Sequence, residues 1–116
     1  MGLIVNDKRE VDWPVTINVP VDGGKTEKHE IIVRFELATS EEFLNGGNEP
    51  AGTLLQRKVK GWGTEEEHRK DGLMLSEDEP MPFTGENLKA VLKIGYIERA
   101  FTTGLIGASN GAAAKN

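Results

Sequence analysis

The sequence predicts an α+β fold: an N-terminal antiparallel β-hairpin, then a small bundle of three to four helices, then a flexible C-terminal tail. Three observations predict it. Apolar and polar residues alternate over 15–19 and again over 31–37, the two-residue period of half-buried strands. Asp22-Gly23-Gly24-Lys25 separates those runs, and glycine supplies the positive φ of a tight reversal. Two helix-capping signals, at Thr39 and Thr84, stand before stretches with helical apolar spacing. The 116 residues fit one domain, taken as 1–107, with 108–116 as the tail.

In the first strand Val15, Ile17 and Val19 share a face, and Thr16 and Asn18 take the other. Pro14 and Pro20 bracket it, since proline in a sheet is confined to edges and ends. The return strand sets Ile31, Val33, Phe35 and Leu37 on one face, begun by His29, with Glu30, Arg34 and Glu36 toward water. Ile32 interrupts the polar face, which implies cover there. An isolated hairpin is marginal in water, so helices must pack on this one.

Thr39-Ser40-Glu41-Glu42 has the form of a capping box, in which a hydroxyl closes free backbone N–H groups and a glutamate reciprocates. Asn45-Gly46-Gly47-Asn48 breaks that helix early. A second helical stretch is predicted over 51–60, with Leu54, Leu55 and Val59 on one side, ending at Gly61-Trp62-Gly63. Residues 63–82 are dense in charge and read as a solvated loop with room for one helical turn. From Glu86, Leu88, Val91, Leu92 and Tyr96 recur at helical spacing, and Ile97, Ala100, Phe101 and Leu105 continue on a shifted stripe. Gly95 and Gly104 are soft points, so one bent helix or two consecutive ones are expected. After Gly107 nothing remains to bury, and the tail is expected to be mobile.

Composition excludes several functions. A net charge of -5, with 14 Lys and Arg scattered among 19 acids, opposes binding to a nucleic-acid backbone. No apolar run approaches the roughly 20 residues of a membrane span. MGLIVNDKRE lacks the apolar stretch of a signal peptide, and Asn6 breaks the myristoylation pattern. Absence of cysteine removes disulfides, thiolate catalysis and thiolate metal sites. A cytoplasmic location is the simple expectation.

The residue inventory nominates no catalytic residue, no cofactor and no metal ligand. His29 and His68 lack a second histidine at ligand spacing. Glu65-Glu66-Glu67 with Asp71 lacks the spaced carboxylates and central glycine of a calcium loop. Gly61-Trp62-Gly63 lacks the lysine and spacing of a phosphate cradle, and Ser40, Ser76 and Ser109 lack a nucleophile elbow. The chain is not expected to be an enzyme.

The aromatic residues carry more information. Trp13 and Trp62 sit where the chain changes direction, and Phe83 precedes a cap. Trp62 is either core or a partner contact, tryptophan being enriched at interface hot spots. The last helical segment has apolar groups on two adjacent stripes, which makes either a large core face or a groove for another chain. On the groove alternative the partner-binding side chains are Trp62, Phe83, Leu88, Val91, Leu92, Tyr96 and Phe101.

Taken in order, the motifs are Val19-Pro20 and Asp22-Gly23, Val33-Arg34-Phe35, Gly61-Trp62, Asp71-Gly72, Pro82-Phe83-Thr84-x-Glu86-Asn87-Leu88, a final helix and a terminal Lys115-Asn116. That order resembles the small tail assembly chaperones of phages or prophages with long non-contractile tails, over nearly the whole chain. The stretch between Gly63 and Asp71 departs from the pattern, because TEEEHRK is longer and more charged than expected.

The resemblance implies a non-catalytic protein that binds the long helical tape-measure protein, keeps it soluble and recruits tail-tube subunits. It implies action in the host cytoplasm and absence from the mature virion. Many copies along one client would add weak contacts through multivalency, and self-association into oligomers is compatible with that. The family also commonly makes an extended form by ribosomal frameshifting. Ala114-Lys115-Asn116 can be encoded as GCA-AAA-AAC, which contains the slippery heptamer A-AAA-AAC, so GASNGAAAKN is either a tether or a plain terminus. The alternative function is a small structural component of the tail, retained in the virion.

Overall fold

A computed structural model describes residues 2–6, 8–50, 52–63 and 71–111. Strands β1 (Glu10–Val21) and β2 (Lys25–Glu36) pair antiparallel in unbroken register from Glu10↔Glu36 to Val21↔Lys25. The reversal between them uses the expected glycines, Gly23 at φ +86° and Gly24 at φ +74°, angles that a Cβ makes costly. The alternating pattern then does what its period dictates: Val15, Ile17, Ile31, Val33 and Phe35 are buried on one face. Beyond Ile17 and Ile31 the hairpin continues as an arm, with residues 21–30 all exposed.

The prolines depart from expectation, because both lie inside β1 rather than at its ends. Pro14 stands opposite Ile32, whose N–H donates to the Asp71 carbonyl at 2.7 Å and whose carbonyl accepts from Gly63 N–H at 2.8 Å. Ile32 therefore turns its backbone away from β1, and Pro14 has no N–H to offer β2. Pro20 occupies the same parity six residues on. Both rings fall where β1 faces the edge that pairs with no strand among the described residues, a place where proline removes no ladder bond. The Ile32 side chain, on the polar face, is half-buried.

Helix α1 (Ser40–Gly46) carries the complete capping box, with Glu42 N–H donating to Thr39 Oγ1 at 3.2 Å and Thr39 N–H to Glu42 Oε1 at 3.1 Å. Helix α2 is shorter than expected, Thr53–Lys58, and the chain leaves it directly into strand β3 (Val59–Trp62). β3 pairs antiparallel with β2, giving a three-stranded sheet in the order β1-β2-β3. Residues 59–60 are thus strand, not helix. Pairing with the open side of β2 buries Val59, Gly61 and Trp62, which outweighs the weak helical preference of a β-branched valine. The supposed loop after Gly63 also contains structure, a small antiparallel pair of β4 (Met74–Ser76) and β5 (Glu79–Pro80). His68 and the Glu65-Glu66-Glu67 cluster lie outside the described residues, as do residues 112–116.

Two consecutive helices follow, α3 (Gly85–Leu92) and α4 (Gly95–Ser109), divided at Lys93-Ile94. Thr84 caps α3 by accepting from Asn87 N–H at 3.0 Å. α4 lies on the hairpin, and it extends past the expected domain end at 107. Ala108 is only 4% exposed, and Ser109 Oγ accepts from Ala38 N–H at 3.0 Å. Residues 108 and 109, expected in the tail, thus belong to α4. Among the described residues no helix is long and apolar enough to cross a membrane.

Gly104 proves to be a contact point rather than a soft one. A Cβ built there would stand 2.8 Å from Val15 Cγ2 and 3.3 Å from the Phe35 ring. Two opposed terms act on substitution: alanine gains about 1 kcal/mol of helix propensity, while overpacking costs about 1–3 kcal/mol. Gly104→Val keeps only a small part of the propensity gain and adds bulk, so a loss of about 3 kcal/mol in urea unfolding is expected. Gly104→Ala is expected to fall well short of that loss, and equal effects would contradict the close approach.

Candidate functional site

Three motifs that stand apart in sequence meet in one packed cluster. Trp62, at the end of β3, is 0% exposed, and its Nε1 donates to the Met81 carbonyl at 2.8 Å. Phe83 meets the indole edge to face, with centroids 4.9 Å apart at 82°, a favoured aromatic geometry. Gly72 lies against the same strand end: a Cβ there would come within 2.8 Å of Gly63 N and 2.9 Å of the Trp62 carbonyl carbon. Gly61-Trp62, Asp71-Gly72 and Pro82-Phe83 are thus parts of one joint, which holds the β4–β5 segment and the start of α3 onto the sheet.

Most of the nominated partner-binding residues are consumed by this core. Trp62, Leu88, Val91, Leu92 and Phe101 are buried, and Phe83 is half-buried against them. The Phe101 and Phe35 rings meet at right angles, 6.5 Å between centroids. The two stripes of the last helical segment are core faces, one on the hairpin and one toward α2 and the Trp62 joint. Tyr96 is the nominated residue that stays exposed, at 37%. His29 is on the hairpin arm, 3.7 Å from Glu27. Among the described residues no cluster of three or more His, Asp or Glu side chains is arranged to hold a metal ion.

Tyr96 opens onto a cleft of about 740 Å³ between the hairpin and α4. Its lining includes Pro14, Asn18 and Pro20 of β1, Lys28 of β2, and Tyr96 and Arg99 of α4. One side follows the edge of β1 that is unpaired among the described residues, and the other follows the first three turns of α4. A smaller recess of about 190 Å³ lies under α1, lined by Phe43, Leu54, Leu55 and Leu105 together with Glu98 and Thr102.

Sequence reasoning missed a buried cation. Lys58, the last residue of α2, has its Nζ 2.7 Å from Glu36 Oε2 and 2.7 Å from Glu42 Oε2. It ties the end of β2 to the first turn of α1. Hydrogen bonding to Lys58 is the main cause holding the Glu36 and Glu42 carboxyls below the usual range, with the Thr39 N–H adding to the effect on Glu42. Burial works against the Lys58 charge, but its two hydrogen-bonded carboxylates prevail and raise its pKa. The only sequence signal was a lysine on the apolar side of a short helix, which resembles an ordinary snorkelling residue. Two exposed bidentate pairs, Arg34 with Asp12 at 3.0 Å and Arg57 with Glu49 at 2.9 Å, complete the main ion pairing. Neither family models, nor curated proteins, nor solved structures give a match to this chain.

Proposed function

We propose that the chain is a non-catalytic tail assembly chaperone that binds a phage tape-measure protein and helps recruit tail-tube subunits. It would act in the host cytoplasm before the tube polymerises and would be left out of the virion. The observation that carries this reading is the open cleft along α4 and the edge of β1, with Tyr96 exposed at its mouth. A surface of this kind suits transient contact with a long client better than an enclosed pocket would, because many copies can engage without each binding tightly. The Trp62 joint adds support, since three of the motifs behind the family resemblance, Gly61-Trp62, Asp71-Gly72 and Pro82-Phe83, meet in one structural unit.

Co-expression with the tape-measure protein of the same phage tests the proposal. The client is expected to move from the insoluble to the soluble fraction and to co-purify with this chain. Tyr96→Asp places a charge on an exposed side chain, so the fold is expected to persist while co-purification falls about tenfold or more, as for an interface aromatic. A client that stays insoluble with the wild-type chain would overturn the proposal. Stoichiometric amounts of the chain in purified virions would favour the retained structural component instead.

A further inference from the structure

We infer that the β1–α4 cleft takes an amphipathic helix whose apolar stripe is bordered by carboxylates, rather than an extended strand or a basic segment. The inference rests on the chaperone reading only in supplying the client to which that helix would belong.

The free edge of β1 is a poor template for a strand. In an antiparallel sheet a new strand joins through the outward N–H and C=O groups of alternate residues. Pro14 and Pro20 hold two of those outward positions on β1 and offer no N–H at either. An incoming extended chain would leave carbonyls unpaired at both. A helix satisfies its own backbone internally and asks nothing of the edge, so it can lie along it with side-chain contacts alone.

The charges in the cleft choose among helices. On a chain of net charge -5 the cleft carries two cations, Lys28 on the arm and Arg99 on α4. Neither has a carboxylate partner among the described residues. Glu98 also lines the cleft on the α4 side, where it accepts from Thr102 Oγ1 one turn further on at 3.2 Å, so two cations stand against one acid. Apart from Lys28, Arg99 and Glu98 the lining is apolar or uncharged, with Pro14, Pro20 and the Tyr96 ring in contact range of an apolar stripe. The complementary surface is therefore apolar along its centre and acidic at its margins, the pattern of one face of an amphipathic helix.

The test uses a model helix of about 20 residues, long enough to hold helical structure in isolation, with a leucine stripe bordered by glutamate. A twin carries lysine at the bordering positions. In an NMR titration of the full chain, the glutamate helix is expected to shift the amides of Lys28, Tyr96, Arg99 and Thr103, and the lysine twin to bind much more weakly. The Lys28→Glu/Arg99→Glu double variant is expected to keep its unfolding midpoint, to lose about tenfold or more in affinity for the glutamate helix, and to regain binding with the twin. Equal binding of both helices, or no shift in the cleft, would overturn the inference. So would a variant that instead changes the sedimentation of the chain alone, since the occupant would then be a second copy. Tape-measure protein captured equally by wild type and double variant removes the cleft inference and leaves the chaperone reading. Glutamate-helix binding without capture of the tape-measure protein does the reverse.

Discussion

Trp62→Ala is expected to cost about 4 kcal/mol of folding stability, in the range of large aromatic truncations in cores. The indole is fully enclosed, stacks edge to face on Phe83 and donates to the Met81 carbonyl, so its removal empties the joint and leaves a carbonyl without its donor. Domains of this size are stable by only about 5–15 kcal/mol, and the variant is expected to be close to unfolding at ordinary temperature. Trp62→Phe keeps a ring against Phe83 and is expected to lose roughly half as much. Urea unfolding followed by far-UV circular dichroism measures both. An alanine variant with an unchanged midpoint would mean that the indole is not part of the core.

Lys58→Met is the second large effect, about 2–3 kcal/mol near neutral pH, because two carboxylates lose the hydrogen-bonded cation between them while the apolar stem is kept. The pH dependence has a definite sign. Glu36 and Glu42 sit below their ordinary value of 4.5 in the folded chain, so their contribution is full above that value and fades as pH falls through the lowered ones. Lys58 sits above its ordinary value of 10.5, so its contribution is full below 10.5 and is lost as pH rises through the raised one. Wild type and Lys58→Met are therefore expected to differ most between those limits and to converge in acid as pH falls through the lowered carboxyl values and the carboxyls protonate. An offset that stays constant from neutral pH into acid would show that Lys58 acts through packing alone.

These two residues mark the limits of what local pattern conveys. Lys58 is polar, stands at the end of a six-residue helix and has its partners 22 and 16 positions back in the chain. Nothing within a helical turn of it signals the ion pair. For Trp62 the sequence favoured core but left partner contact open, since tryptophan serves both and its enclosure depends on Gly72, Met81 and Phe83 arriving from later in the chain. Tyr96 shares the helical spacing of Leu88, Val91 and Leu92, yet it lies beyond the break at Lys93-Ile94. That break rotates α4 so that Ile97, Ala100 and Phe101 face the sheet and Tyr96 faces out.

By itself the sequence determined the α+β class, the hairpin with its glycine turn, the inward face of both long strands, and the caps at Thr39 and Thr84. Each depends on the residue period or on contacts within a few positions, where near neighbours settle the local free energy. Only the tertiary structure decided that Val59–Trp62 would join β2 as a strand, that the Leu88–Phe101 stripes would close into core, and that a cleft would open between α4 and the proline-blocked edge of β1. Those outcomes depend on which distant surfaces bury one another, and that cooperative choice is not written into any short window of residues.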